Sequence, residues 1–465
     1  MKELGIALDI NTGLRAVDDT GPNSKGLIKC VNIVSRIQGL VRPDIVLQSI
    51  KGIKTSYPFP QVFIGFRHWL CCTEDKIYKV NGDLSTTLLV DVGSYYRQFP
   101  SAPKGTWHFA DFFTYGVLTN GGVTLVFNTQ TNMWEYNDGL RIPTLGTVIN
   151  FSGQIIGSGR DYIIGDQKTR FHDTDSAFLL WGGIGSADFS IDLSNVRGFR
   201  PMPFTGEIYK VLPLDIHTNN GYLSVVVVYG SGGICICKFN DNHLGIMKTY
   251  KYGIASRDAV SGDNEKHVFI DVNGNLRTLD SALNMSSPMF WEFFIPMLGK
   301  EIIVNYNPNM DDYYITDGSV SYLLTHEGLC EINEVYTSLV NIANTLIGFK
   351  IRLNNIDTEL TTDIVDFGNR SLKTVDVIEI GVISDGEISV RVDYRHSVSD
   401  DFQSTPWKRV NSQGNVVFPV TGMEFRISIL GINLNNIKLS SLTARVKFDD
   451  KRFIRGQSSA DKITS

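Results

Sequence analysis

The residues able to do chemistry fall into a few constellations. His172-Asp173-x-Asp175 places an imidazole beside two carboxylates, the raw material of a nucleophilic triad or a metal site. A triad also needs a serine on a strand-to-helix elbow of the G-x-S-x-G type, and Gly157-Ser158-Gly159 is not that motif. The 8 histidines are scattered and form no H-E-x-x-H pair. Asp271-x-Asn273-x-Asn275 has the spacing that opens a calcium loop. Its twelfth position is Ala282, where a bidentate glutamate belongs, so a plain hairpin turn is expected. Asp311-Asp312, near Asn305, Asn307 and Asn309, offers oxygens to a cation but reads as a solvated loop. A glycoside hydrolase needs two carboxyls that meet only in space, so the linear sequence leaves that chemistry open.

The six cysteines add no site. Cys71 and Cys72 are adjacent and point to opposite faces of a strand, which is poor disulfide geometry. Cys235 and Cys237 share a face and have no histidine at ligand spacing, so core packing is expected for them. Cys30 and Cys330 stand alone. A reducing compartment at assembly follows. No metal or cofactor is expected, and the chain is expected not to be an enzyme.

The elements that must hold these residues are almost all strands. The chain has 465 residues, 42% apolar and 11% aromatic, enough for two or three folded domains. Residues 1–55 hold closely packed turn signals and read as an N-terminal arm. From residue 56 to 344, β-rich blocks recur at about 45 residues, the period of propeller blades. The first runs from Gln61 to Val90, the second opens at Trp107-His108 and ends near Trp134, and the third contains Gln154–Gly157. The fourth holds the valine-rich run Tyr222 to Tyr229, the fifth His267–Leu279, and the sixth Ile302–Leu324. Six blocks predict a divergent six-bladed β-propeller in an all-β chain. Asn81-Gly82 and Asn273-Gly274 mark hairpins. Helix is expected only at Met289–Leu298 and, for a turn or two, at Glu331–Ala343. Residues 345–456 alternate as a β-sandwich with Trp407 in its core, and 457–465 form a polar, flexible tail.

Net charge is −6, which argues against a wholly basic nucleic-acid binder. It is unevenly spread along the chain. Residues 61–344 carry 19 Lys+Arg against 29 Asp+Glu, while 1–60 net +3 and 345–465 net +1. The start Met1-Lys2-Glu3 opens no long apolar run, and no stretch of about 18 apolar residues occurs, so neither a signal peptide nor membrane insertion is expected.

One stretch carries a family likeness. Phe178-Leu179-Leu180-Trp181 reads as an apolar strand, Gly182-Gly183-Ile184-Gly185-Ser186 as a glycine turn, and Asp188-Phe189 as a return to the core. Trp181, Asp188 and Phe189 are the expected structural anchors. The pattern resembles a segment of the tail hub or nozzle proteins of short-tailed bacteriophages. Asn32 to Pro43, with Gly39, Arg42 and Pro43, resembles the same family's N-terminal segment, although Asp44 replaces its glycine. Asp366-Phe367-Gly368 with Arg370 and Lys373, and the terminal run from Val446 to Gly456, resemble its C-terminal module.

The resemblance implies a structural virion protein, assembled in the host cytoplasm as a ring, commonly a homo-hexamer, beneath the portal and adaptor rings. Such a ring extends the DNA channel, retains packaged double-stranded DNA without reading its sequence, and holds fibres or spikes. Arg36, Arg42, Arg370, Lys373, Lys451, Arg452 and Arg455 are then the candidate ring or subunit contacts. The acidic 61–344 region is expected to face the channel, because a duplex slides along a repelling wall. The rivals are a glycan- or receptor-binding propeller and a propeller-fold glycoside hydrolase.

Overall fold

The computed structural model describes residues 3–10, 13–14, 26–36, 39–43, 47–65, 67–112, 115–136, 142–159, 161–164, 167–170, 176–185, 187–191, 197–219, 221–240, 243–342, 345–353, 357–432, 434 and 436–448. These residues are nearly all β, with many four-stranded sheets. The chain divides into two units. One takes 46–321 and 335–352; the other takes 1–45, 322–334 and 353–465. The domain limits read from the sequence therefore move. Residues expected as a free arm supply strands to both units. Charge also redistributes: the first unit holds 23 Lys+Arg and 26 Asp+Glu, the second 20 and 23, so each nets −3. The acidic middle is a property of chain order rather than of either unit.

The larger unit is built from antiparallel meanders, the economical result of short strands separated by Gly, Asn and Asp turns. Its first sheet is Gln61–Ile64, Trp69–Cys72, Lys76–Val80 and Thr86–Asp91. The second is His108–Asp111, Gly116–Thr119, Thr124–Asn128 and Met133–Tyr136. The third is Leu145–Phe151, Gln154–Gly159, Ser176–Ile184 and Gly198–Thr205. A small sheet of Asp161–Ile164, Gln167–Arg170 and Ser190–Ile191 is inserted within it. The fourth is Ile208–Thr218, Gly221–Gly230, Ile234–Asn240 and His243–Tyr250. The fifth has three strands, Val260–Gly262, Lys266–Ile270 and Leu276–Asp280. The sixth contributes Ile303–Asn307 and Asp312–Thr316 to this unit. The seventh pairs Glu334–Ile342 and Thr345–Leu353 with Leu47–Ser49, which runs parallel to Thr345–Leu353.

The opening strands of these seven sheets form a closed circuit. Trp107 N–H donates to Gln61 Oε1 at 2.8 Å, linking the first sheet to the second. His108 Nδ1 lies 2.6 Å from Thr147 Oγ1, linking second to third. Leu145–Phe151 packs along Ile208–Thr218. Lys210 Nζ reaches Asp258 Oδ1 at 2.6 Å, and Val304 N–H donates to the Asp258 carbonyl at 2.8 Å. Leu339 N–H donates to Asn305 Oδ1 at 3.4 Å. Ser338 Oγ closes the circuit, accepting from Val62 N–H at 2.9 Å and donating to the Val62 carbonyl at 3.2 Å.

The sequence expectation of six blocks falls short by this seventh sheet. Its strands lie outside the counted blocks: one is drawn from before the first block, and Glu334–Ile342 was expected to start as a helical turn. Val335, Thr337, Val340 and Ile342 are β-branched, and the circuit demands a strand there. The other helix expectation holds in short form, as Trp291–Phe294 followed by the 3-10 turn Ile295–Met297.

Apolar clusters fill the spaces between successive sheets. Cys72 packs with Leu70, Trp107 and Leu125, while Cys71 faces the other way onto Val62, Val80 and Ile347. Cys235 and Cys237 share one cluster with Trp181, Val226 and Leu244. All six cysteines are buried and free, as expected of core residues. Trp181 and Phe189 are both buried but on opposite faces of the third sheet, Phe189 joining Ala110, Val117 and Phe178. The glycine stretch between them departs from expectation. Gly182 and Gly183 continue the strand, and the chain turns only at Gly185, where φ is +67°. Gly182 is required by crowding: a Cβ there would stand 2.4 Å from Ile155 Cγ2 and 2.8 Å from the Asp188 carbonyl. Asn81-Gly82 forms a longer loop, with Asn81 N–H donating to the Ser85 carbonyl and Leu84 at φ +65°.

The smaller unit contains two sheets. One runs Val34–Arg36, Gly39–Val41, Ile437–Phe448, Lys373–Ser384, Asn415–Gly422, with Glu3–Leu8 also paired to Ile437–Phe448. The other includes Gly328–Ile332, Leu27–Val31, Thr358–Thr362, Glu424–Gly431 and Ile388–Arg395 in that order. Trp407 does not plug this core. It is 37% exposed and lies against the Arg391 guanidinium, 4.9 Å from its ring centre.

Trp181→Ala is expected to destabilise the larger unit by about 3–5 kcal/mol, the usual cost of truncating a buried aromatic. Urea unfolding followed by tryptophan-independent far-UV dichroism checks this, and a midpoint equal to the parent's contradicts the anchor role.

Candidate functional site

Where the opening strands converge, the larger unit buries a cluster of ionisable side chains. Asp258 is its centre and only 5% exposed. Its Oδ1 takes Lys210 Nζ at 2.6 Å and faces His108 Nε2 at 3.3 Å, while Oδ2 takes Gln61 Nε2 at 3.3 Å. Asp258 N–H donates to Glu301 Oε1 at 3.2 Å. Ser256 Oγ is bonded to both the N–H and the carbonyl of Ile302, each at 2.8 Å. Arg257 turns its guanidinium the other way, onto the carbonyls of Gly146 and, at 3.5 Å, Thr106. Five sheets thus contribute side chains from the start of, or just before, their first strands.

Position explains the charge states. Burial by itself raises the Asp258 carboxyl, but Lys210 and then His108 overturn this and hold it well below the usual carboxylate range. Burial pushes the His108 imidazole down to about 4 despite its aspartate neighbour, so it is neutral near pH 7. Burial first, and the Asp258 charge second, raise the Glu301 carboxyl to about 7. Two carboxyls are therefore adjacent with their ionisation pushed apart, the pattern of an acid and a base in one site. Asp258, however, has both oxygens committed to internal partners and almost no exposure.

The residues singled out from the sequence are dispersed. Asp271 is buried and organises a turn, its Oδ1 accepting from Asn273 and Asn275 N–H at 2.9 Å and its Oδ2 from Arg277 Nε at 2.7 Å. The hairpin reading holds. Asp311 pairs with Lys266 at 2.9 Å, and Asp312 is buried. Among the described residues, no group of three or more His, Cys, Asp or Glu could hold a metal ion. His172, Asp173 and Asp175 lie outside the described residues.

Asp188 pairs with Arg197 at 2.9 Å and accepts the Gly183 N–H on its carbonyl. Arg36 and Arg42 are half-buried, and Arg370 is exposed. Lys373 is not a surface contact: it is fully buried, and its ammonium donates to the carbonyls of Asn369, Ser371 and Met423 at 2.6, 2.9 and 2.6 Å. Burial lowers its amine to about 8. Lys451, Arg452 and Arg455 lie outside the described residues.

The sequence reading did not pick out Gln61, His108, Lys210, Arg257, Asp258 or Glu301 as a site. One signal was present. Gln61, His108 and Lys210 are each a polar residue set between apolar or aromatic neighbours, whereas Arg257, Asp258 and Glu301 stand beside other polar residues. Among the described residues no helix is long and apolar enough to cross a membrane.

No family model matches this chain, and no curated protein does. Several solved structures are weakly similar. The extracellular domain of BT4673 from B. thetaiotaomicron is 11% identical, with 94% of this chain and 57% of that one covered and a TM-score of 0.35. This chain therefore spans little more than half of that structure's length. The exo-β-1,3-galactanase of Phanerochaete chrysosporium is 9% identical over 86% of this chain and 99% of its own, at 0.32. BamB of Moraxella catarrhalis is 8% identical over 68% and 97%, at 0.33. TM-scores in this range give no basis for transferring a fold or an activity.

Two expectations follow from the cluster. Asp258→Ala leaves the partly exposed Lys210 without its carboxylate and the buried Gln61 without its acceptor, and is expected to cost about 1–3 kcal/mol in urea unfolding. His108 and His267, the latter also lowered to about 4 by burial, bind fewer protons folded than unfolded between about 4 and 6.5. Their contribution to stability is thus complete above pH 6.5 and lost as the pH falls towards 4. His108→Gln should flatten this acid limb by close to one proton's slope, and an unchanged slope contradicts the assignment.

Proposed function

We propose that this chain is a structural ring subunit of a bacteriophage tail, a hub or nozzle that continues the DNA channel and holds fibres or spikes. In this reading the larger unit is a β-propeller, with seven blades in place of the six read from the sequence, and the smaller unit is a sandwich. One observation carries the proposal. The segments that resemble the hub family's two ends lie about 400 residues apart in sequence, yet both reach one sheet through the strand Ile437–Phe448, without pairing with each other. Leu40 and Val41, beside Arg42-Pro43, register with Leu439 and Lys438, and Leu4 with Val446, at the start of the Val-Lys-Phe run. Asp366-Phe367-Gly368 lies in the same unit, with Phe367 at φ +53° and its ring 5.6 Å from that of Phe425. The N-terminal and the two C-terminal segments thus fall in the smaller unit, whereas Phe178–Phe189 falls in the larger. The saturated Asp258 supports a scaffold over a hydrolase.

Partners under this proposal are further copies of the chain, commonly six, a portal or adaptor ring, fibres or spikes, and passing duplex DNA held without sequence preference. The site of action is the virion. Arg36, Arg42 and Arg370 remain candidates for subunit contacts; Lys373 is withdrawn, because its charge is satisfied internally.

A second reading, a glycan-active propeller, is favoured by the adjacency of Asp258 and Glu301. It requires that Glu301→Gln abolish hydrolysis of some glycoside in a panel screen.

Mass photometry of the purified chain, followed by electron microscopy, tests the main proposal. The expected particle is a closed ring of about six 51.8 kDa copies. A strictly monomeric chain, in solution and in particles, would overturn it.

A further inference from the structure

One sheet of the smaller unit carries arginines held in place by aromatic rings. Along Ile388–Arg395, Val390 and Val392 point into the core and are fully buried, so Arg391, Asp393 and Arg395 share the opposite face. Register sets Ser428, Arg426 and Glu424 across from them. After Arg395 the chain turns back along the same strand. Thr405 N–H donates to the Val392 carbonyl at 3.0 Å, and Val410 N–H to the Ile388 carbonyl at 2.9 Å. The returning segment brings two rings onto the arginines. Phe402 meets the Arg395 guanidinium at 4.7 Å and that of Arg426 at 4.3 Å, while Trp407 meets Arg391.

Two of the three arginines have a carboxylate. Arg395 Nε donates to Glu424 Oε2 at 2.6 Å, and Arg391 Nε lies 3.2 Å from Asp393 Oδ1. Arg426 has no carboxylate among the described residues. Asp393, directly opposite it, is turned to Arg391, and the Arg426 Nε is buried without a hydrogen-bond partner. Stacking fixes the plane of a guanidinium and leaves its N–H edge for a planar anion. An arginine placed in this way loses little further freedom on binding. Apolar surface adjoins it, with Trp407 37% and Val398 57% exposed. An exposed tryptophan beside a positioned arginine is the composition of an interface hot spot.

We propose that this face is a subunit contact, in which a second copy of the chain seats an aspartate or glutamate on Arg426 and packs apolar side chains on Trp407. The proposal deepens the ring reading and rests on it. Charge favours a second copy. The chain holds 49 Asp+Glu against 43 Lys+Arg, and both units net −3. A neighbouring copy therefore brings carboxylates in excess of cations. A polyanion fits less well. Asp393 and Glu424 lie in the same face, and Asp400 and Asp401 are exposed just before Phe402, so a row of phosphates meets repulsion where one carboxylate does not.

Sedimentation velocity over a concentration series compares the full-length parent with Arg426→Gln and Trp407→Ala. Hydrogen exchange of the parent, below and above its assembling concentration, follows peptides covering 388–410. Each variant is expected to raise the concentration for half-assembly by about tenfold or more, and 402–410 should gain protection on assembly. A parent that assembles while either variant matches it, or while 402–410 gains no protection, overturns this contact and leaves the ring reading standing. A parent that stays monomeric at every concentration overturns both. The exchange arm needs no variant, so it decides alone if a substituted chain does not fold. Binding of a duplex or single-stranded oligonucleotide that Arg426→Gln abolishes would assign the face to nucleic acid and overturn the proposal.

Discussion

Much of the larger unit depends on one buried carboxylate. Asp258 joins the first and fourth sheets through Gln61 and Lys210, faces the second through His108, and joins the sixth through its backbone carbonyl and N–H. A closed circuit of sheets cannot be stabilised one sheet at a time, because each apolar face needs the next sheet to cover it. A charge at the inner edge adds something that apolar packing lacks. It tolerates few alternative partners, since an unmatched ion in that position costs several kcal/mol.

The burial pattern of the strands follows from the same closure. Val225 to Val228 are all fully buried, because the fourth sheet is covered on both faces. Strands of that kind are continuous apolar runs, and alternation survives only towards sheet edges. The turns carry the polar side of the design. Asn120 takes the N–H groups of Gly122 and Val123, Asp263 those of Glu265 and Lys266, and Asp317 those of Ser319 and Val320. Each side chain satisfies donors that a tight turn leaves without a strand partner.

The smaller unit solves a different problem, the chain's return. Glu3–Leu8 and Gly39–Val41 pair one after the other along the same edge of Ile437–Phe448, and Lys373–Ser384 takes its other edge. The loop after Asp366 is then held by Lys373, whose ammonium takes three backbone carbonyls. A lysine in that position is a structural cation, and its conversion from presumed surface charge to core clamp shows how little a residue's type says about its exposure.

The sequence by itself determined the class and the local chemistry. Short β-branched runs between Gly, Asn and Asp turns can form little but antiparallel sheets. The side-chain period of two assigned Cys71 and Cys72 to opposite faces, and Cys235 and Cys237 to one. The missing glutamate at 282 made Asp271 a turn residue. Tertiary structure decided the rest. The seventh sheet takes a strand from each side of the repeating blocks, and Leu47–Ser49 carries no sign of its distant partner. Gly182 and Gly183 resemble a turn locally, yet they extend a strand, and Gly182 must be glycine there because Ile155 and the Asp188 carbonyl approach too closely for a side chain. Gln61, His108, Lys210, Asp258 and Glu301 span 240 residues of chain and become a site only when the circuit closes. The physical reason is one of range. Backbone preference and turn chemistry act over a few residues, whereas desolvation and charge pairing depend on which distant segments exclude the water.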